Sequence, residues 1–151
     1  MRKIFFYGMM ILGLAGCASV SISQYIQDKN PYTKKFYNSY KATFQATEQM
    51  LRDLGWEIEK QTDPSLYEHS GEDSVNSLTK VLIFTKIRQT ALFLGSRYSL
   101  VNIYLRSSSE DVTEVEIRYL AVDSTFFKNF YHYKNDKIVE RMFHHLEDLL
   151  K

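Results

Sequence analysis

The chain has 151 residues but only one cysteine, one tryptophan and almost no excess of charge, with 19 Lys and Arg against 18 Asp and Glu. A lone cysteine excludes an internal disulfide, so whatever folds must be held by its core. Near-zero net charge excludes the broad basic surface that nucleic-acid binding needs, and nucleic acid is set aside as a partner. The most apolar run, Ile4 to Leu14, has eleven residues, well short of the roughly 20 that span a bilayer as a helix. Phosphate loops, nucleophile elbows, zinc-protease helices and cysteine–histidine pairings are missing, as are repeats and low-complexity tracts. What is there suits a single globular domain: 44% of residues are hydrophobic and 25% charged, with eleven Tyr and ten Phe.

The N-terminus reads in three parts. Arg2 and Lys3 form a positive start, Ile4 to Leu14 (IFFYGMMILGL) an apolar stretch, and Ala15 and Gly16 a small-residue exit. That is the layout of a secretory signal. Leu14-Ala15-Gly16-Cys17 resembles the bacterial lipobox, with all four positions matching. The resemblance implies that Leu14, Ala15 and Gly16 are read by the signal peptidase and that the chain is cut before Cys17. It further implies that the Cys17 thiol receives a diacylglyceryl group and that the new amine is acylated. Two or more acyl chains hold a protein stably at a bilayer. Loss of residues 1–16 would leave 135 residues, 17 basic against 18 acidic, for a net charge of −1. Ala18, where an Asp favours inner-membrane retention in enteric bacteria, implies an outer-membrane protein facing the periplasm.

Residues 17–33 carry the lipidated cysteine and then ASVSISQYIQDKNPYT, which lacks helical periodicity and ends in a turn at Pro31. This stretch reads as a tether reaching roughly 20 Å. The alternative is an edge strand built from Val20, Ile22, Tyr25 and Ile26. Residues 34–151 form the domain. Tyr40, Phe44, Thr47, Leu51 and Leu54 recur at helical spacing after Ser39, and Gly55 stands where a left-handed cap would. Trp56, Ile58 and Lys60 then alternate as a strand. Residues 62–78 read as a long loop, with a short strand at 66–69 as an option. Strands are expected over 80–89, 97–106 and 113–122, and a closing helix over 136–150 with Val139, Met142, Phe143, Leu146, Leu149 and Leu150 as its stripe. The expected fold is α+β: a two-layer sandwich whose antiparallel sheet of four to five strands carries both helices on one face and leaves the other wet. The element order and the Leu54-Gly55-Trp56-x-Ile58 step resemble the small helix-grip domains of envelope lipoproteins, such as those of β-barrel assembly, which implies a fold more than a function.

Four histidines are available for chemistry. His144 and His145 diverge by about 100° on a helix, unsuited to holding one ion. His69 lies in a polar loop near Glu68 and Glu72, and His132 lies among tyrosines. Neither a metal nor a catalytic residue is expected, the only attached group is the lipid on Cys17, and an enzyme is not expected. The unusual stretch is Phe126 to Tyr133 (FFKNFYHY). At helical spacing Phe126, Phe130 and Tyr133 share one face and Phe127 and Tyr131 another, so one set can cap the core while the other meets a partner. Thr90 to Leu94 (TALFL) is the second candidate, as core or as an apolar lip beside the membrane. Two functions follow: a non-catalytic envelope protein docking to another envelope component, or a binding module holding a lipid or other apolar ligand between helices and sheet. A cavity lined by Phe44, Ile103 or Phe143 would mark the second.

Overall fold

One long hairpin organises the sheet. The computed structural model describes residues 20–67, 79–125 and 128–151. Its elements are β1 (Tyr32–Phe36), α1 (Tyr40–Asp53), β2 (Ile58–Thr62), β3 (Lys80–Thr85), β4 (Arg88–Leu92), β5 (Gly95–Ser109), β6 (Val112–Thr125), β7 (Asn129–His132) and α2 (Asp136–Leu149), with a 3₁₀ turn at Pro64–Leu66. All pairings are antiparallel. β5 and β6 pair from Gly95↔Thr125 to Ser109↔Val112. The edge of β6 takes β1 along one half and β7 along the other; the edge of β5 takes β3 and then β4, with β2 outside β3.

The sheet therefore has seven strands, which corrects the expected four to five and makes the fold more sheet-rich than a simple sandwich. The additions are short or interrupted. The register changes from Phe84↔Asn102 to Arg88↔Ser99, so one extra residue splits the expected strand over 80–89 into β3 and β4. At the break the Thr85 hydroxyl accepts from the Val101 amide (2.9 Å) and reaches the Val101 carbonyl (3.1 Å), replacing the lost ladder bonds. β7 is the second correction. Where a helical turn was expected to carry Phe130, Tyr131 and Tyr133, Asn129–His132 is a strand on β6, with Phe130 opposite Asp123, Tyr131 opposite Val122 and Tyr133 just past its end.

α1 begins and ends on local chemistry. The Ser39 hydroxyl accepts from Ala42 N–H. At the other end Trp56 N–H donates to the Leu51 carbonyl (2.8 Å) and Gly55 N–H to that of Arg52 (2.9 Å), with Gly55 at φ 71°. That pair of bonds is a Schellman cap, and its left-handed residue favours glycine. α1 and α2 lie on the same face of the sheet. Met50, Leu51, Val139, Met142 and Leu146 pack there on Ile83, Val101, Ile103, Leu105, Val115, Ile117 and Tyr119.

The opposite face is not wet. Leu82, Phe84, Leu100, Leu120 and Val122 are all buried, and residues 20–30 account for part of that cover. Within the described residues this stretch is neither a free tether nor an edge strand; it crosses the second face of the sheet. Ile26 is buried with Leu100, Leu120 and Val122, and Val20 and Ile22 pack beside them. The wholly buried Asn102 holds it there: its Oδ1 accepts from Ile26 N–H (2.8 Å) and its Nδ2 donates to the Gln24 carbonyl (3.0 Å). Arg118, also buried, donates to Tyr25 Oη (2.6 Å) and pairs with Glu116. Lys134 ties down the far end through Asp28 (2.8 Å) and the Asn30 carbonyl.

Asn102→Ala should cost about 2–3 kcal/mol, because two buried backbone groups lose their partners and the extended segment loses its clamp. Chemical unfolding measures the loss. Hydrogen exchange at the Ile26 amide should accelerate well beyond the global change, whereas equal acceleration everywhere would show that the clamp is not local.

Candidate docking surface

β7 sits at an open margin of the sheet, and alternation divides its aromatics between two faces. Phe130 lies in the row Thr90–Arg97–Asp123, on the helix side, with the Lys128 ammonium 5.4 Å from its ring centre. Tyr131 lies in the row Gln89–Tyr98–Val122, on the opposite side. Phe130, Tyr131 and Tyr133 are each close to half exposed, so the expected patch is split rather than continuous. Phe126 and Phe127 lie outside the described residues.

Tyr131 and Tyr133 join the N-terminal segment in a half-open cleft of about 390 Å³, whose floor includes Ile22, Ile26 and Leu120. The cleft exists only because residues 20–30 are seated on the sheet, so it could not be read from any local stretch. The polar lining comes from Ser21, Ser23, Gln27 and the tyrosines. Of the residues expected to line an apolar-ligand cavity, Ile103 is wholly buried, with Phe44 and Phe143 packed against its cluster. The described clefts are surface features lined by other residues.

The histidines are spread over the surface. His145 meets Asp53 on α1 at 2.9 Å, and His144 lies 3.8 and 3.7 Å from Glu147 and Asp148 of its own helix. His132 is 3.4 Å from Asp123. His69 is outside the described residues. No group of three or more His, Cys, Asp or Glu able to hold a metal occurs among the described residues. Cys17 and the lipobox residues Leu14, Ala15 and Gly16 also lie outside them.

Asp123 is the main electrostatic feature of this end, and neither composition nor spacing pointed to it. Arg97, directly opposite on β5, grips both of its oxygens at 2.5 and 2.6 Å. That bidentate bond holds the carboxyl below its ordinary value, outweighing the opposing effect of burial, and His132 adds a smaller contribution. Elsewhere, burial and the bond to Asp136 push the Tyr32 hydroxyl up to about 12, so it stays a donor where the N-terminal segment meets α2.

A carboxyl whose pKa is depressed by folding stabilises the protein above its unfolded pKa, and that contribution is lost as pH falls through the folded value. Asp123→Asn should therefore lose about 1 kcal/mol at neutral pH, a modest figure because the pair is partly solvated. The difference from wild type should vanish only when the pH drops below the ordinary aspartate value of 3.8. Urea unfolding of both proteins across that range checks the sign; a gap that widened in acid would refute it. Compared with protein-family models and with curated proteins, the chain matches none.

Proposed function

We propose that this protein is a non-catalytic bacterial lipoprotein, held by lipid on Cys17 at the periplasmic face of the outer membrane, whose domain docks to another envelope component. The observation that carries the docking half is the margin formed by β7 and residues 20–30. Tyr131 and Tyr133 stand half exposed there above an apolar-floored cleft. Tyrosines of this kind supply large contact area at low entropic cost and still offer a hydroxyl to a partner. β7 also pairs with β6 alone among the described strands, so its outer edge can accept an added strand. The lipobox supports the anchoring half.

Metabolic labelling with a clickable fatty acid, followed by membrane fractionation, tests the anchor. Wild type should carry the label and sediment with outer membranes, and Cys17→Ser should lose both. An unlabelled wild type would remove the basis for anchoring. Docking is tested separately with a photo-crosslinking side chain at Tyr131. One discrete adduct with an envelope protein is expected there, and none with the same group at Tyr37, which is exposed beyond the end of β1.

A further inference from the structure

The geometry points to a second membrane contact: the tip of the β4–β5 hairpin, Leu92-Phe93-Leu94, enters the same bilayer leaflet that holds the lipid on Cys17, so the domain stands on the membrane in a fixed orientation. The inference rests on the lipoprotein reading above and deepens it by naming which end of the domain faces the lipid.

Turn chemistry supplies the first argument. β4 and β5 are joined through Leu92↔Gly95, leaving Phe93 and Leu94 as a two-residue turn. Turns that meet water favour Asn, Asp and Gly at such positions. Here Phe93 is 99% exposed and Leu94 58%, with Leu92 and Ile87 also open. The turn is nevertheless rigidly seated. A Cβ on Gly95 would fall 2.0 Å from the Ser124 carbonyl oxygen, so the chain closes against β6 at a point where only glycine fits.

Length supplies the second. β5 has 15 residues and each helix 14. At their respective rises the strand spans roughly 50 Å and a helix about 21 Å. The helix-side core covers the hairpin from Val101 to Leu105 and Val115 to Ala121, so the tip end carrying β4 projects past it. Every residue of β4 is exposed.

The third concerns the anchor. Val20 packs against the cluster of Ile26, Leu100, Leu120 and Val122, whose strand members lie on the tip side of Asn102. Val122 pairs with Tyr98, three rows from the Gly95↔Thr125 end, a distance of about 10 Å. Cys17 is three residues before Val20, and three residues reach at most about 11 Å. The anchor can therefore reach the level of the tip. Charge agrees. Residues 86–99 contain no Asp or Glu and include Lys86, Arg88 and Arg97, of which Lys86 pairs with Glu57 and Arg97 with Asp123. Asp123, the acid facing this end, is neutralised by Arg97. Lys128, whose carbonyl receives the Thr125 amide beside the tip, is exposed. An apolar apex with exposed Lys128 beside it and Arg88 behind it fits an anionic lipid surface, into which such groups settle by roughly 5–10 Å.

Site-directed spin labelling of the lipidated full-length protein tests this. Once Cys17 is a thioether the mature chain has no free thiol, so Phe93→Cys or Tyr37→Cys provides the sole labelling site. Each variant is reconstituted into phosphatidylethanolamine–phosphatidylglycerol vesicles, and collision with oxygen is compared with collision with a water-soluble nickel chelate. The oxygen-to-nickel ratio should be several-fold higher at position 93 than at position 37. A label at 93 that collides freely with nickel on vesicle-bound protein overturns the tip contact and leaves the lipoprotein reading standing. Shielding from both reagents overturns it in favour of a protein contact. Wild type that itself takes the label and stays off the vesicles removes the anchor, and the tip contact with it.

Discussion

The carboxamide of Asn102, buried in the middle of the sheet, is the constraint on which the rest of the arrangement depends. It satisfies the backbone of Gln24 and Ile26 in one step, and an amide placed there without partners would be costly. Because it is satisfied by the N-terminal segment, that segment must lie flat on the second face. The first face already belongs to the two helices. The central hairpin is thus covered from both sides, as its runs of consecutive buried residues in β5 and β6 require.

Two consequences reach the surface. Seating residues 20–30 creates the cleft beside Tyr131 and Tyr133, and it brings the start of the domain towards one end of the sheet. The anchor proposed at Cys17 would then lie only three residues from the seated Val20. The helices cover only part of the hairpin, so the same end presents β4 and its apolar turn. Docking margin and hairpin tip are neighbours, joined through the Arg97–Asp123 pair that crosses between β5 and β6. A partner meeting β7 would approach close to the membrane plane proposed for the tip.

Much of the fold was legible wherever the signal is local. The period of Tyr40 to Leu54, the Ser39 cap, the left-handed Gly55 and the alternation from Thr113 to Val122 depend on residues a few positions apart, and these elements occur where they were expected. The aromatic stretch was less legible. Phe126, Phe130 and Tyr133 are spaced as on a helix, yet pairing with β6 makes Asn129–His132 a strand, because an available sheet edge outweighs a weak local period. β1 was not expected, and β4 was expected only as the end of a longer strand, for a related cause. Each is five residues long, and so short a strand is defined by its partner more than by its own composition. The Arg97–Asp123 pair, 26 residues apart in sequence, left no local trace.

The sequence by itself determined the two helices with their ends and the strands whose side chains alternate, since each of these is written in neighbouring residues. Tertiary structure alone decided which apolar segments are covered. Ile26 and Phe93 look alike in hydrophobicity, yet one is buried and the other bare. The difference lies in what stands opposite them: Asn102 and the second face for Ile26, and for Phe93 a hairpin end beyond the reach of two 14-residue helices. Hydrophobicity is a property of a side chain, whereas burial depends on the geometry of distant parts of the chain.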